Sequence, residues 1–391
     1  MSLTVNENSA VYYQHTYWND LPVVRDEINR RVSGDPDRYW FHRFSDLVDG
    51  RVFERALILN CGNGNVERGL FDNGLMTSCV GIDYSHELLD QARADNAGYD
   101  ATYHQMDVNT AEFPEGEFDL VVNFAAGHHI ASIDRVFREL CRRLPDDGWF
   151  VSYDYIGDHR NQYRYEIWDA AHRLNRTLPE HVRQDMRYPH LPTMLATDPT
   201  EAIHSELIRP TFARYFAEAE HRPVGGALAY LLLTHNERIF AADPTERDRW
   251  ARVVLDADAE FTAAHPKWAL FAYFAGQPKK AVLRRKAQLA KWTAAEDERE
   301  AAAAAGGGGE YYERTALQDL ELRLEELRDR SEPSGQPDEA SRELERLRAS
   351  FPLAQWKALT HGPVGAWVRA HPQVERAARE LLSRIRTRAG G

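Results

Sequence analysis

The fold is decided by Ala56-Leu57-Ile58-Leu59-Asn60-Cys61-Gly62-Asn63-Gly64-Asn65, an apolar run that ends in a turn of small residues. A second apolar run follows it and ends in an acid, in Val80-Gly81-Ile82-Asp83. In an α/β sheet, glycines after the first strand let backbone N–H groups approach a ligand, and a carboxylate after the second strand binds ribose hydroxyls. The two runs therefore predict a sheet whose edge binds a nucleoside.

The neighbouring sequence continues the same alternation. Short β-rich runs alternate with helical patterns, which is typical of βαβ units and a parallel sheet. The predicted strands are Ala56–Leu59, Cys79–Ile82, Ala101–Gln105, Leu120–Phe124 and Trp149–Tyr153, and the predicted helices between them are Val66–Asn73, His86–Asn96 and Ile133–Leu144. We expect the α/β class, with a Rossmann-like, doubly wound and mainly parallel sheet.

Changes in composition divide the chain further. Residues 1–50 are rich in aromatic residues and arginine and predict an N-terminal helical segment, and residues 51–156 form the nucleoside-binding core. Residues 157–215 are polar and helical, which predicts a cap inserted after the fifth strand. Residues 216–278 are sheet-like again and end in a predicted closing strand, Trp268–Phe274.

Residues 279–391 predict a helical, partly flexible tail. A run of alanines followed by glycines at 301–309 is typical of a flexible hinge. Leu317, Leu320, Leu324 and Leu327 recur at the spacing of a coiled coil, and the final segment is basic and amphipathic. Self-association, a protein partner or an anionic membrane surface, and a solvated helical appendage all remain open for this tail.

Composition excludes several classes of function. A net charge of -13 argues against non-specific nucleic-acid binding, which needs a basic face. The three cysteines, Cys61, Cys79 and Cys141, form no CxxC pair and predict reduced thiols. No apolar run approaches the roughly 20 residues of a membrane span, and the N-terminus lacks a signal-peptide pattern. We expect a cytoplasmic protein, and no set of His or Cys has a spacing that predicts a metal site.

The turn also bears on which nucleoside is bound. The third glycine of a dinucleotide motif is absent, and Glu67, near the start of the following helix, would repel a pyrophosphate. Both features weigh against a nicotinamide oxidoreductase. Asp107, at the end of the third strand, can accept a hydrogen bond from an adenine amino group, although an acid here is also a common turn residue.

Taken together, this block resembles the class I S-adenosylmethionine (SAM)-dependent methyltransferases. The segments that carry the resemblance are Leu57–Gly64, Gly81–Ser85, Asp107, Phe118–Val121, Gly127–Ile130, Phe137–Leu140 and Leu144–Gly148. Tyr17-Trp18, Ser33–Pro36, Asp154–Gly157, Thr197–Ile203 and Gly225-Gly226 look like a bacterial subgroup associated with polysaccharide and glycan biosynthesis. The chain departs from the family at Asn60, where many relatives have an acid or glycine, and from the subgroup at His204, where arginine is expected.

The resemblance implies SAM as the cofactor, with the ribose on Asp83 and the methionine part at the end of the fourth strand. The residues expected to bind it are Asn60, Gly62, Asn63, Gly64, Asp83, Tyr84, Asp107, Val108 and Asn123.

Methyl transfer requires alignment of the acceptor and, for a hydroxyl, removal of its proton. His128 and His129 follow the fourth strand, and His129 is our first choice for the base or orienting group, because imidazole titrates near neutral pH. The alternative is that one of them caps the next helix. Glu201 and His204, at i and i+3, predict a carboxylate–histidine pair in the cap, unless they lie on a solvated face.

Asp154 and Tyr155, at the end of the fifth strand, are further acceptor-side candidates. The leading hypothesis is O-methylation of a sugar or glycan hydroxyl. The alternatives are N- or O-methylation of a non-sugar metabolite, and a SAM-binding adaptor that recruits partners through its coiled-coil tail.

Overall fold

The structure of the protein is a computed structural model that describes residues 16–189, 194–195 and 198–304. The chain forms two compact units, Met1–Gly308 and Gly309–Gly391, and the description concerns the first. The predicted coiled coil and the basic C-terminal segment lie outside the described residues.

Strands and helices alternate through the first half of the described chain. The strands are β1 (Phe53–Leu59), β2 (Met76–Asp83), β3 (Ala101–Gln105), β4 (Leu120–Phe124), β5 (Trp149–Tyr155), β6 (Phe216–Gly225) and β7 (Phe271–Pro278). The α-helices are α1 (Pro22–Ser33), α2 (Trp40–Leu47), α3 (Asn65–Asp72), α4 (His86–Asp95), α5 (Ile133–Arg143), α6 (Tyr165–Thr177), α7 (Ile208–Tyr215), α8 (Ala229–Leu233), α9 (Glu237–Ala241), α10 (Pro244–Ala264) and α11 (Lys286–Ala304).

These strands form a seven-stranded sheet in the order β3-β2-β1-β4-β5-β7-β6. β1 to β5 run parallel, and β7 is antiparallel to both β5 and β6. In the centre, Leu57 lies opposite Val80 on one side and Val121 on the other. This register brings the carboxyl ends of β1, β2 and β4 to one edge, as the α/β prediction requires.

The central strands are apolar because both faces of the sheet are covered. Residues 56–59 of β1 are at most 1% exposed, and Phe137 and Leu140 of α5 pack in the same core. A strand buried on both faces reads as a continuous apolar run, which is why the central strands β1 and β4 were recognisable in the sequence.

The chain after β6 differs from the prediction. Residues 216–278 contain β6 and β7, but three helices, α8, α9 and α10, lie between these strands. The closing strand starts at Phe271, because Pro266–Trp268 forms a 3-10 turn with proline at its first position. The predicted cap, residues 157–215, contains the helices α6 and α7, and most of its other described residues form 3-10 turns, turns and irregular segments such as residues 184–189.

The predicted tail also begins differently. Residues 286–304 form α11, so the helix includes the first alanines of the segment that we expected to be a flexible hinge. Glu296 of α11 is buried and accepts hydrogen bonds from the first turn of α5. The helix therefore packs on the core. No helix in the described part of the chain is long and apolar enough to cross a membrane.

Candidate functional site

The turn after β1 adopts the backbone conformation that its glycines allow. Gly62 and Gly64 have φ of 57° and 74°, in the left-handed region, and Asn60 has φ of 44°. A Cβ on Gly64 would lie 2.2 Å from Asn96 Nδ2, which donates a hydrogen bond to the Gly64 carbonyl. Only glycine fits there, and α3 begins directly afterwards, so its N-terminus lies at this turn.

Asp83 closes the other side of the turn. Its Oδ2 accepts from Gly62 N–H at 2.8 Å and its Oδ1 accepts from Ser85 N–H at 2.8 Å. Burial raises the pKa of this carboxyl, and the two N–H donors oppose that rise. A carboxylate accepts more hydrogen bonds than these two, so capacity remains for ligand hydroxyls. The glycine turn and the acid are thus brought together.

The other predicted cofactor residues lie nearby but have partners of their own. Asp107 Oδ1 accepts from Asn109 N at 2.9 Å and caps the 3-10 turn Val108–Thr110, which is the turn role that we considered for it. Val108 is buried in the apolar core. The carbonyl of Tyr84 accepts from Gln105 Nε2.

At the same edge, Asn63 is half-buried in the glycine turn. Asn60 Nδ2 donates to the Ala126 carbonyl at 3.2 Å and so links the end of β1 to the loop after β4.

Asn123, also predicted to bind the cofactor, makes hydrogen bonds within the protein. It is 1% exposed, and its Nδ2 donates to Ser152 Oγ at 2.8 Å and to Asp154 Oδ2 at 2.6 Å. The side chain therefore holds the Asp154 carboxylate in place below the sheet edge.

The side chain of Glu67 is buried and is not an exposed charge at the ligand edge. It is 0% exposed, and burial raises its pKa to about 7. Glu67 therefore does not present the charge that was expected to repel a pyrophosphate, and it gives no reason to prefer SAM over a dinucleotide.

The two histidines lie in a 3-10 turn, Gly127–His129, directly after β4. His128 Nδ1 is 2.6 Å from Asp154 Oδ1, and Asp154, 0% exposed, also accepts from Gly127 N–H at 2.6 Å. Because the carboxylate only accepts, His128 donates through Nδ1–H and its Nε2 points away. Burial would lower the pKa of His128, but Asp154 and Glu201 raise it to about 9.

His129 is oriented in the same way by the cap. Its Nδ1 is 3.1 Å from Thr200 Oγ1, and that hydroxyl donates to Asp198 Oδ1 at 2.7 Å, so Thr200 accepts from His129 Nδ1–H. Burial and the neighbouring His128 lower the pKa of His129. His129 opposes the rise that burial causes in the pKa of Asp83, and Asn60 donates to the Ala126 carbonyl, one residue before the histidine turn.

Glu201 completes this group. Its Oε1 accepts from Asn161 Nδ2 at 3.2 Å, and its Oε2 lies 3.9 Å from His128 Nε2 and 3.8 Å from His129 Nε2. We call His128, His129 and Glu201 the His–Glu cluster. The three residues predicted to be catalytic are therefore brought together, with side chains 13%, 20% and 28% exposed.

The predicted Glu201–His204 pair does not form. Residues 201–204 are a turn, in which Ala202 has φ of 46°, so the helical spacing on which the pair depended is absent. His204 is buried and stacks on His159 at 5.6 Å. Tyr155 is also buried, and its hydroxyl donates to the Asp158 carbonyl.

Comparison with known proteins shows that the part of the chain containing this sheet edge matches a known family. Residues 57–152 match the family model described as a methyltransferase domain. An uncharacterized methyltransferase, YcgJ of Bacillus subtilis, is 27% identical over 131 residues, which are 32% of this chain and 50% of that protein. EEF1A lysine methyltransferase 4 of Mus musculus is 26% identical over 176 residues, covering 34% of this chain and 68% of the relative.

Among solved structures, the YcgJ protein from Bacillus subtilis aligns with 17% identity and a TM-score of 0.34, over 59% of this chain and 93% of that one. The chain spans about half the length, 50%, of the curated relative YcgJ. Residues 57–152, which include the glycine turn, Asp83 and the histidine turn, thus match a methyltransferase domain.

Proposed function

We propose that the protein is a SAM-dependent methyltransferase that methylates a hydroxyl group of a sugar or glycan. When bound, SAM supplies a methyl group that its sulfonium makes reactive. The chain then has to hold the cofactor, align the acceptor oxygen and manage the hydroxyl proton.

The residues at the cofactor edge fit SAM. The Asp83 carboxylate suits ribose hydroxyls, and the turn through Gly62 has its shape fixed by Gly64, where a Cβ would collide with Asn96 behind the turn. Asn60, Asn63, Tyr84, Asp107 and Val108 border the same edge and are proposed to complete the cofactor site.

The observation that carries the proposal is the His–Glu cluster beside this edge. Both imidazoles are anchored through Nδ1, so both Nε2 atoms face Glu201 in a partly open position. A hydroxyl acceptor needs such a group, because its oxygen is a poor nucleophile until its proton is removed or withdrawn. The cluster therefore favours O-methylation.

A sugar acceptor is supported by the surroundings of Glu201. The ring of Tyr155 lies 6.2 Å from that of His128, and the ring of Tyr230 lies 6.3 Å from that of Tyr155. The charge of Glu201 raises the pKa of Tyr17 and of Tyr230, after the larger effect of burial. Partly buried tyrosines offer flat apolar surfaces and hydroxyls that suit a sugar ring. The resemblance to the glycan-associated subgroup supports the same class of acceptor.

Methylation of an amine is the second candidate. Asp198 and Glu201 place two carboxylates at the acceptor side, and this negative charge would attract an ammonium group. EEF1A lysine methyltransferase 4 is among the relatives.

The first experiment is a calorimetric titration of SAM, and of its demethylated product, into the full chain and into Asp83→Ala. We expect micromolar binding to the wild type and at least a tenfold loss in the variant. Asp90→Ala, which removes an exposed carboxylate on α4, is the matched control and should bind normally. A folded wild type that binds neither molecule would refute the cofactor assignment.

The acceptor is then tested with a panel of sugars, oligosaccharides and primary amines, by measuring formation of the demethylated cofactor and the mass of the product. A methyl ether supports the proposal. A methylated amine, with no turnover of any sugar, would replace it by the second candidate.

A further inference from the structure

We propose that the His–Glu cluster binds one divalent transition-metal ion through His128 Nε2, His129 Nε2 and Glu201 Oε2. The role that we give the ion, holding and acidifying the acceptor hydroxyl, rests on the proposed function, whereas binding of the ion does not.

The distances within the cluster suit a shared ion. Glu201 Oε2 is 3.9 Å from His128 Nε2 and 3.8 Å from His129 Nε2, which is too long for a hydrogen bond between them. Ligand nitrogens and oxygens lie about 2.0–2.2 Å from zinc, so two ligands of one ion are roughly 3–4 Å apart. One donor atom from each of the three residues lies within 4.8 Å of the others.

Each of the three side chains is oriented by a second group. Asp154 fixes His128, Thr200 fixes His129, and Asn161 holds the other oxygen of Glu201. Metal-bound histidines are generally fixed in this way, through the ring nitrogen that does not bind the metal. The arrangement therefore turns three ligand atoms toward one point without the ion being needed to orient them.

The charges around the cluster also favour a cation. Asp154, Asp198 and Glu201 bring three carboxylates to the two imidazoles. The Arg160 guanidinium donates to the Glu201 backbone carbonyl and offsets one of these negative charges, so a net negative charge of the carboxylates remains. Two imidazoles and one carboxylate form the ligand set that suits Zn²⁺, Mn²⁺, Fe²⁺ or Co²⁺.

Three protein ligands leave coordination positions open, as in catalytic metal sites. An acceptor hydroxyl bound there would become more acidic and release its proton to solvent water, leaving an alkoxide held by the ion. Adjacent hydroxyls of a sugar ring can take two open positions, so the site favours a vicinal diol.

A second group of possible ligands, His159, His204 and Glu206, lies elsewhere in the cap. The positive charges of Arg299 and Arg160 act on His204, which opposes binding of a cation there. This group therefore provides the matched control.

The test uses the full chain after treatment with a chelator, titrated with Zn²⁺ and with Mn²⁺ by calorimetry. We expect one ion for each wild-type chain and for each Glu206→Gln chain, and affinity at least tenfold weaker in Glu201→Gln. Binding of Co²⁺ should produce a visible absorption band in the wild type that Glu201→Gln alters. No bound ion in the wild type, loss in Glu206→Gln alone, or equal affinity in all three proteins would overturn the proposal.

SAM titration of the same chelated samples separates this proposal from the proposed function and checks that each variant is folded. SAM binding should survive both chelation and Glu201→Gln. A chain that binds SAM but no ion refutes only the metal site. A chain that binds the ion but not SAM keeps the metal site and refutes the proposed cofactor.

Discussion

Glu296 of α11 gives a quantitative test of how the C-terminal helix of the described chain is attached. Its carboxyl is 1% exposed and accepts from the N–H groups of Asp134 and Arg135, in the first turn of α5. Ser132, the N-cap residue of α5, makes no side-chain cap hydrogen bond, so Glu296 performs the capping function. Burial raises the pKa of Glu296 to about 7, and Glu300 adds to the rise.

This pKa implies a definite dependence of stability on pH. The ordinary value for a glutamate is 4.5 and the folded value is about 7. That difference corresponds to at most about 3 kcal/mol. Because the folded carboxyl binds its proton more tightly than the unfolded one, the stabilising contribution is complete below pH 4.5 and is lost as the pH rises to about 7.

Glu296→Gln removes this titration and keeps an oxygen that accepts both N–H bonds. The free energy of unfolding of the wild type, minus that of the variant, should fall by up to about 3 kcal/mol between pH 4.5 and pH 8, measured by urea unfolding. The control is Glu298→Gln, on an exposed position of the same helix, for which the difference should stay flat. A flat or rising difference for Glu296→Gln would refute the buried cap.

Two further substitutions test the site. In Gly64→Ala the new Cβ meets Asn96 at 2.2 Å and displaces the glycine turn, so SAM affinity should fall at least tenfold by calorimetry. Gly98→Ala, with open space around it, should bind normally, and equal affinities would contradict a role of the turn in cofactor binding. Asp154→Asn leaves His128 without its carboxylate partner, so affinity for the proposed ion should fall roughly 10- to 100-fold. Unchanged ion affinity in that variant would show that His128 needs no such orientation.

The sheet could be predicted because its signals are local. The bounds of β3 and β4 agree with the predicted strands, since short runs between helical patterns, apolar in β4 and β-prone in β3, have few other interpretations. The glycine turn and Asp83 were found together for a related reason, because consecutive parallel strands end at the same edge.

The partners of the histidines could not be found in this way. Thr200 lies 71 residues after His129, and Asp198 contacts it from the same distant segment. Sequence spacing does not show that the cap returns Asp198 and Thr200 to the sheet edge beside His129. The Glu201–His204 pair failed for the opposite reason, since a local helical spacing was assumed where Ala202 has a positive φ.

Two backbone hydrogen bonds hold the turn that carries Glu201. Ile203 N–H donates to the His128 carbonyl at 3.0 Å, and Arg160 N–H donates to the Ala202 carbonyl at 2.7 Å, so the Glu201 turn is attached both to the histidine turn and to the cap. These bonds do not depend on the side chain of Glu201. A change of that side chain should therefore alter ion binding by the His–Glu cluster without moving the Glu201 turn. For this reason Glu201→Gln distinguishes a role of Glu201 in binding from a role in structure.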